Sequence, residues 1–160
     1  MQTITRKFLV KHIPDLTGNK HWIQNRFYLY RKNGIVIRVQ SNGKEFELER
    51  KVTETDLIRE SKKIMISKEE YEAIGKNATE HVTRDNYMMS ETPRTILRIY
   101  HGQFEGLVRA EIEFKSVEQA KQFIPLSWME AEITATLLAK DETLLDLTRI
   151  DFQKLLSLKN

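Results

Sequence analysis

Residues 107–114 read Leu-Val-Arg-Ala-Glu-Ile-Glu-Phe and set a guanidinium and two carboxylates at every second position. Side chains on an extended strand alternate between faces. Arg109, Glu111 and Glu113 therefore share one surface, and Val108, Ala110, Ile112 and Phe114 share the other. A carboxylate buried without a partner is costly, so such a face requires water, a counter-charge or a ligand. Carboxylate oxygens are the donors that hard divalent cations prefer, and the planar arginine fork suits phosphate. The pattern recurs elsewhere. Glu45, Glu47, Glu49 and Lys51 share a face of Glu45–Val52, Thr3, Thr5 and Lys7 a face of Gln2–Val10, and Arg59, Ser61 and Lys63 a face of Arg59–Ile66.

Elements must position these faces. Alternation predicts strands over 2–10, 24–30, 35–40, 45–52, 59–66, 79–87, 94–100 and 107–114, with a short strand at 130–134. Asn33-Gly34 and Asn42-Gly43 are hairpin turn signals. Ser67-Lys-Glu-Glu70 and Ser116-Val-Glu-Gln119 are capping boxes that open helices ending near Gly75 and before Pro125. An amphipathic helix is predicted from Asp141, with Leu144, Leu145, Leu147, Ile150, Leu155 and Leu158 along it. Strands joined by short connections favour an antiparallel α+β domain. Closing the sheet, with apolar faces outward under helices and charged faces inward, satisfies both kinds of face.

Composition narrows the function. The 160 residues, 40% hydrophobic and 31% charged, suit one soluble domain over 1–160. No apolar run approaches the ~18–20 residues of a membrane span, and no signal-peptide pattern opens the chain, so a cytoplasmic protein is expected. Without cysteine there are no disulfides or thiolate metal sites. A net charge of +3 favours anionic partners but is too small to argue for nucleic acid. His12, His21, His81 and His101 lack metal-ligand spacing, and Trp22 and Trp128 read as structural. No serine has a nucleophile's neighbours, no phosphate-binding glycine motif is present, and nothing specifies an oligomer.

The order of motifs resembles the CYTH superfamily, the triphosphate tunnel metalloenzymes. Thr3-Ile-Thr-Arg-Lys-Phe-Leu-Val10 is similar to that family's opening Glu-x-Glu-x-Lys signature. Ile37-Arg-Val-Gln40 is similar to its arginine strand, Lys51 to its tunnel lysine, and Ala110-Glu-Ile-Glu-Phe114 to its late Glu-x-Glu strand. Phe123-Ile-Pro-Leu-Ser-Trp-Met-Glu-Ala-Glu-Ile-Thr134 matches the segment that follows. The resemblance implies an eight-stranded antiparallel tunnel whose basic residues hold a triphosphate and whose carboxylates hold Mg²⁺ or Mn²⁺. It also implies an activity among triphosphatases and adenylate cyclases.

The chain departs from that pattern in one direction. Thr3 and Thr5 stand where metal-ligating carboxylates are expected, as do Ser61 and Lys63, and Ile96 and Arg98. Arg84 and Asn86 replace a Lys and an Arg, and Leu137 and Leu138-Ala139 replace basic tail residues. Lys7, Arg38, Lys51, Arg59 and Arg84 are the expected phosphate contacts. Glu111, Glu113 and Glu132 survive as expected metal ligands, with Glu47 and Glu49 as a relocated pair, since Glu47-Leu-Glu-Arg-Lys51 repeats the signature on another strand. The expected function is binding of a triphosphate, nucleotide or polyphosphate in a basic tunnel, with metal-dependent catalysis weak or lost, using Mg²⁺, Mn²⁺ or no metal. The alternatives are an active metal-dependent triphosphatase or cyclase, and a non-catalytic module whose interior is closed by ion pairs.

Overall fold

The computed structural model describes residues 2–158; the expected domain limits, 1 and 160, lie outside them. Eight strands, β1 (Gln2–Leu9), β2 (His21–Lys32), β3 (Ile35–Ser41), β4 (Phe46–Thr53), β5 (Ile58–Ile66), β6 (Glu80–Glu91), β7 (Arg94–Tyr100) and β8 (Val108–Phe114), form a closed barrel. The order round it is β1-β5-β4-β3-β2-β6-β7-β8, and every pairing is antiparallel. Closure removes the sheet edges and turns one face of each strand inward. The β2–β3 turn needs a left-handed backbone at Asn33 (φ 52) and Gly34 (φ 75), which the Asn-Gly pair supplies.

The helices are α1 (Lys68–Gly75), α2 (Val117–Gln122), α3 (Asp141–Leu145) and α4 (Arg149–Leu158). Ser67 and Glu70 close the expected capping box on α1. Two apolar clusters hold the parts together. Phe8, Val10, Leu97, Ala110, Ile112 and Met129 cover one outer wall, with Trp128 packed against them. Tyr28, Val36, Val82 and Tyr100 meet Leu138, Leu144 and Phe152 at one end of the barrel, which α3 and α4 thereby close.

Two expectations change. Residues 130–134 form no strand. They run beside β1 through one bridge, Phe8 to Glu132, and through bonds such as Leu9 N–H to Ala131 O at 2.9 Å. They take the side of β1 that β5 leaves open, because β5 pairs only with residues 2–4 of it. The terminal helix is also two helices. Thr148 Oγ1 accepts from Asp151 N–H at 3.1 Å and starts α4 afresh. The break lets Asp141 and Glu142 face the barrel while Leu144 and Phe152 both join the apolar end. No helix of the described residues is long and apolar enough to cross a membrane.

Candidate functional site

The inward faces enclose a cavity of about 1830 Å³. Strand parity sorts its lining by depth. From the open mouth towards the closed end, β2 presents Trp22, Gln24 and Arg26, β4 presents Glu47, Glu49 and Lys51, and β8 presents Glu113, Glu111 and Arg109. Lys7, Arg38, Lys51, Arg59 and Arg84 all line this cavity, as do Glu47, Glu49, Glu111 and Glu113.

At the floor, Asp141 accepts from three guanidiniums: Arg26 Nη1 at 2.9 Å, Arg84 Nη1 at 3.0 Å and Arg109 Nη2 at 3.3 Å. The Tyr100 hydroxyl donates to it as well. Glu142 accepts from Lys51 Nζ and lies 3.7 Å from Arg38. Lys7 Nζ donates to Ala139 O at 2.6 Å, and Arg109 Nη1 to Leu138 O at 3.0 Å. Residues 138–142 thus meet the cationic floor with two backbone carbonyls, Leu138 O and Ala139 O, and two carboxylates. Four of the five Arg84 donors are engaged, since it also reaches Gln24 Oε1 at 2.9 and 2.7 Å and the Tyr100 hydroxyl at 3.0 Å.

Half-way up, Glu111 accepts from Arg59 Nη2 at 2.9 Å and Arg98 Nε at 3.1 Å. Glu49 is held by Arg38 and Ser61, with Lys63 at 3.9 Å. Nearer the mouth, Glu47 accepts from Gln40 Nε2 at 2.6 Å and lies 3.6 Å from Lys63. At the mouth Glu113 faces Arg94 at 3.8 Å. Buried Arg38 Nε, Arg109 Nε and Glu142 Oε2 have no hydrogen-bond partner among the described residues.

The proton affinities follow from burial and neighbours. Burial pushes the Asp141 carboxyl up, but Arg84, Arg26 and Arg109 outweigh it and hold it well below the carboxylate range. Glu111 is also held well below that range, against burial, by Arg98, Lys7, Arg59 and Arg109. Against burial, Lys51 and Arg38 bring Glu142 down to about 2. Burial drives Lys51 down to about 8, with Glu142 opposing. Burial likewise depresses Lys7 strongly, Glu111 opposing and Arg109, Arg59 and Lys51 adding to it.

One expected metal ligand is misplaced. Glu132 lies outside the tunnel, where Arg6 grips it at 2.9 and 2.6 Å and Thr134 Oγ1 donates to it at 2.6 Å. Arg6 alternates with inward-facing Thr5 and Lys7, so its partner must be external. The other four acids do not gather either. Each is held by bases or amides, Glu47 and Glu49 sharing Lys63, and no group of three or more His, Asp or Glu side chains among the described residues is arranged to hold a metal ion. Sequence reasoning missed Arg26, Asp141 and Glu142. The signal available was a charge imbalance: inward-facing bases lacked enough acids, and Asp141-Glu142 preceded an apolar run with no assigned partner.

No protein-family model matches the chain. It is, however, 30% identical over 140 residues to an inorganic triphosphatase of Nitrosomonas europaea, covering 84% of this chain and 90% of that protein. The chain belongs to the CYTH superfamily. A solved structure of an inorganic triphosphatase superposes with a TM-score of 0.68 at 23% identity, covering 91% of this chain and 98% of the other. A protein of Pyrococcus horikoshii gives 0.59 at 14%, covering 75% and 84%. At these identities the likeness establishes the CYTH barrel fold.

Proposed function

We propose that this CYTH chain binds a triphosphate-type anion in its tunnel, with ordinary metal-dependent hydrolysis weak or lost. One observation carries the reading. Six buried basic side chains of the tunnel, Lys7, Arg38, Lys51, Arg84, Arg98 and Arg109, face four buried carboxylates, Glu49, Glu111, Asp141 and Glu142, and the half-buried lining adds Arg26 and Arg59 against Glu47, so bases exceed acids among the described residues. Charges removed from water must be compensated, and a polyanion supplies what the carboxylates do not.

In this reading Lys7, Arg38, Lys51 and Arg59 contact the phosphates, with Arg98 above them. Arg84 acts mainly through the field it shares with Asp141, because four of its five donors already have partners. Mg²⁺ or Mn²⁺, which the family implies, fits poorly. Thr3 and Thr5 offer no charge, Glu49 and Glu111 are neutralised by bases, and the acids do not converge. No step is therefore routed through a metal. The Nitrosomonas relative favours a second reading, an active triphosphatase that gathers Glu47, Glu49, Glu111 and Glu113 around a cation when substrate arrives.

Titration calorimetry with inorganic triphosphate in a metal-chelating buffer tests the first reading. Binding is expected without metal, and absence of heat at millimolar ligand overturns it. Phosphate release with Mn²⁺ or Mg²⁺, abolished by Glu111→Gln, would establish the second.

A further inference from the structure

The outer wall of the barrel is covered on one side and largely bare on the other. Over β1, β7 and β8, the chain's own Phe123, Trp128 and Met129 pack on Phe8, Leu97 and Ile112. Over β2, β3 and β4 the cover is α1, whose Tyr71 ring meets Phe27 and Phe46 at 5.8 and 5.0 Å between centroids. That cover is short. Val39 is sealed from solvent, while Ile37, next along the same outward face of β3, is only partly buried. From there a strip of apolar side chains crosses β2–β5, with Tyr30 opposite Ile37 and Leu48 opposite Ile64. Ile64 is 63% exposed and Tyr30 46%. Two bases interrupt the strip: Arg50 lies opposite Ile37 on one side and Lys62 on the other. Both are exposed, and neither has an ion pair among the described residues. Like charges directly opposite on neighbouring strands are destabilising, and exposed apolar side chains gathered into a strip mark an interaction site.

We propose that this strip is the docking face for an acidic amphipathic helix of a partner protein. The chain's own α1 sets the pattern. Its glutamates Glu69, Glu70 and Glu72 surround Tyr71, the aromatic residue that it lays on the wall. The uncovered strip continues from the edge of α1. Three strand spacings, from β5 to β2, span about 14 Å at ~4.8 Å each, close to three turns of helix. Apolar residues at i, i+4, i+7 and i+11 of a partner helix would follow Ile64, Leu48, Ile37 and Tyr30, and carboxylates beside them would supply what Arg50 and Lys62 lack. Charge argues against a second copy of this chain, because a two-fold contact sets the same patch against itself and would bring these bases together. Shape argues against a lipid surface, because α1 stands out from the wall beside the strip and a flat bilayer would meet it first.

Fluorescence anisotropy with a labelled synthetic helix, leucines at those spacings and glutamates between them, and with its counterpart carrying lysines between them, tests the proposal. Expected is micromolar binding of the acidic helix and binding of the basic one weaker by about tenfold or more. Ile64→Ser should weaken the acidic helix roughly tenfold. Lys62→Glu should weaken it too while raising the urea midpoint, since a carboxylate opposite Arg50 relieves the repulsion, so lost docking is told apart from lost folding. Equal binding of the two helices, or acidic binding that Ile64→Ser leaves intact, would overturn the docking face; the second result would place the peptide at the basic tunnel mouth instead. A dimer in sedimentation velocity, or pelleting with phosphatidylserine vesicles, would likewise overturn it if Ile64→Ser abolished either, because the strip would then have another occupant.

Discussion

The two ends of the tunnel use the same residue types to different effect. At the floor, Asp141 and Glu142 join Arg26, Arg84, Arg109, Arg38 and Lys51, and the side chains are nearly sealed from solvent. At the mouth, Lys63 and Arg94 are about half exposed, at 51% and 48%, and face Glu47 and Glu113 at 3.6 and 3.8 Å. Coulomb energy scales inversely with the local dielectric, so the floor pairs interact several times more strongly at equal distance. Their desolvation cost is correspondingly large, which makes the floor intolerant of losing either partner. The floor is therefore part of what holds the barrel together, whereas the exposed ion pairs of the mouth tolerate change.

The sharpest way to break this contrast is Asp141→Ala. It strands three guanidiniums and should cost about 3–5 kcal/mol in urea unfolding, with added triphosphate restoring part of the loss. A cost below about 1 kcal/mol, the scale of an exposed pair, would mean that floor and mouth are equivalent.

Acid should dissolve the floor next. The Glu142 carboxyl lies at about 2 in the folded chain, below its ordinary 4.5. Its stabilisation is fully present above pH 4.5 and is lost as pH falls through about 2, on the order of 2–3 kcal/mol. Urea midpoints recorded across that window should drop, and Glu142→Gln should remove this part of the drop.

Anion binding should take up protons. Burial leaves Lys51 at about 8, and a bound polyanion raises it. Affinity should then fall as pH rises from 7 to 9, by roughly fivefold if the bound anion raises Lys51 by about one pK unit. Calorimetry in buffers of different ionisation enthalpy would register the uptake. A flat profile between pH 7 and 9 would remove Lys51 from the contact set.

The smallest effect belongs to the mouth. Lys63→Gln should alter stability by less than about 1 kcal/mol, and its trace should be a shallower salt dependence of anion association.

Much of the barrel was legible because alternation is strict on Val108–Phe114 and broken at single positions, Arg50 on Phe46–Thr53 and Val36 on the polar face of Ile35–Ser41, and parity places Lys7, Arg38, Lys51, Arg59 and Arg84 inside. Depth was harder to read, since it depends on barrel stagger and on which end the C-terminal helices close. Asp141 looked like a helix start because an acid there has a local use, whereas its partners lie 32 to 115 residues away. Glu132 misled for the opposite reason. Its motif matched, but Arg6, on the outer face of β1, claims it.

The late position of Asp141 and Glu142 has a consequence for biosynthesis. In synthesis the two acids follow all eight strands, since α3 comes after β8 in chain order. Until then, of the acids that finally meet the inner bases, only Glu49 and Glu111 have been made. In that state the uncompensated bases should oppose closure of the barrel, which the last acids or a borrowed polyanion would then favour. Fragments stopped before residue 141 should accordingly gain ordered structure when polyphosphate is added, a gain read by circular dichroism.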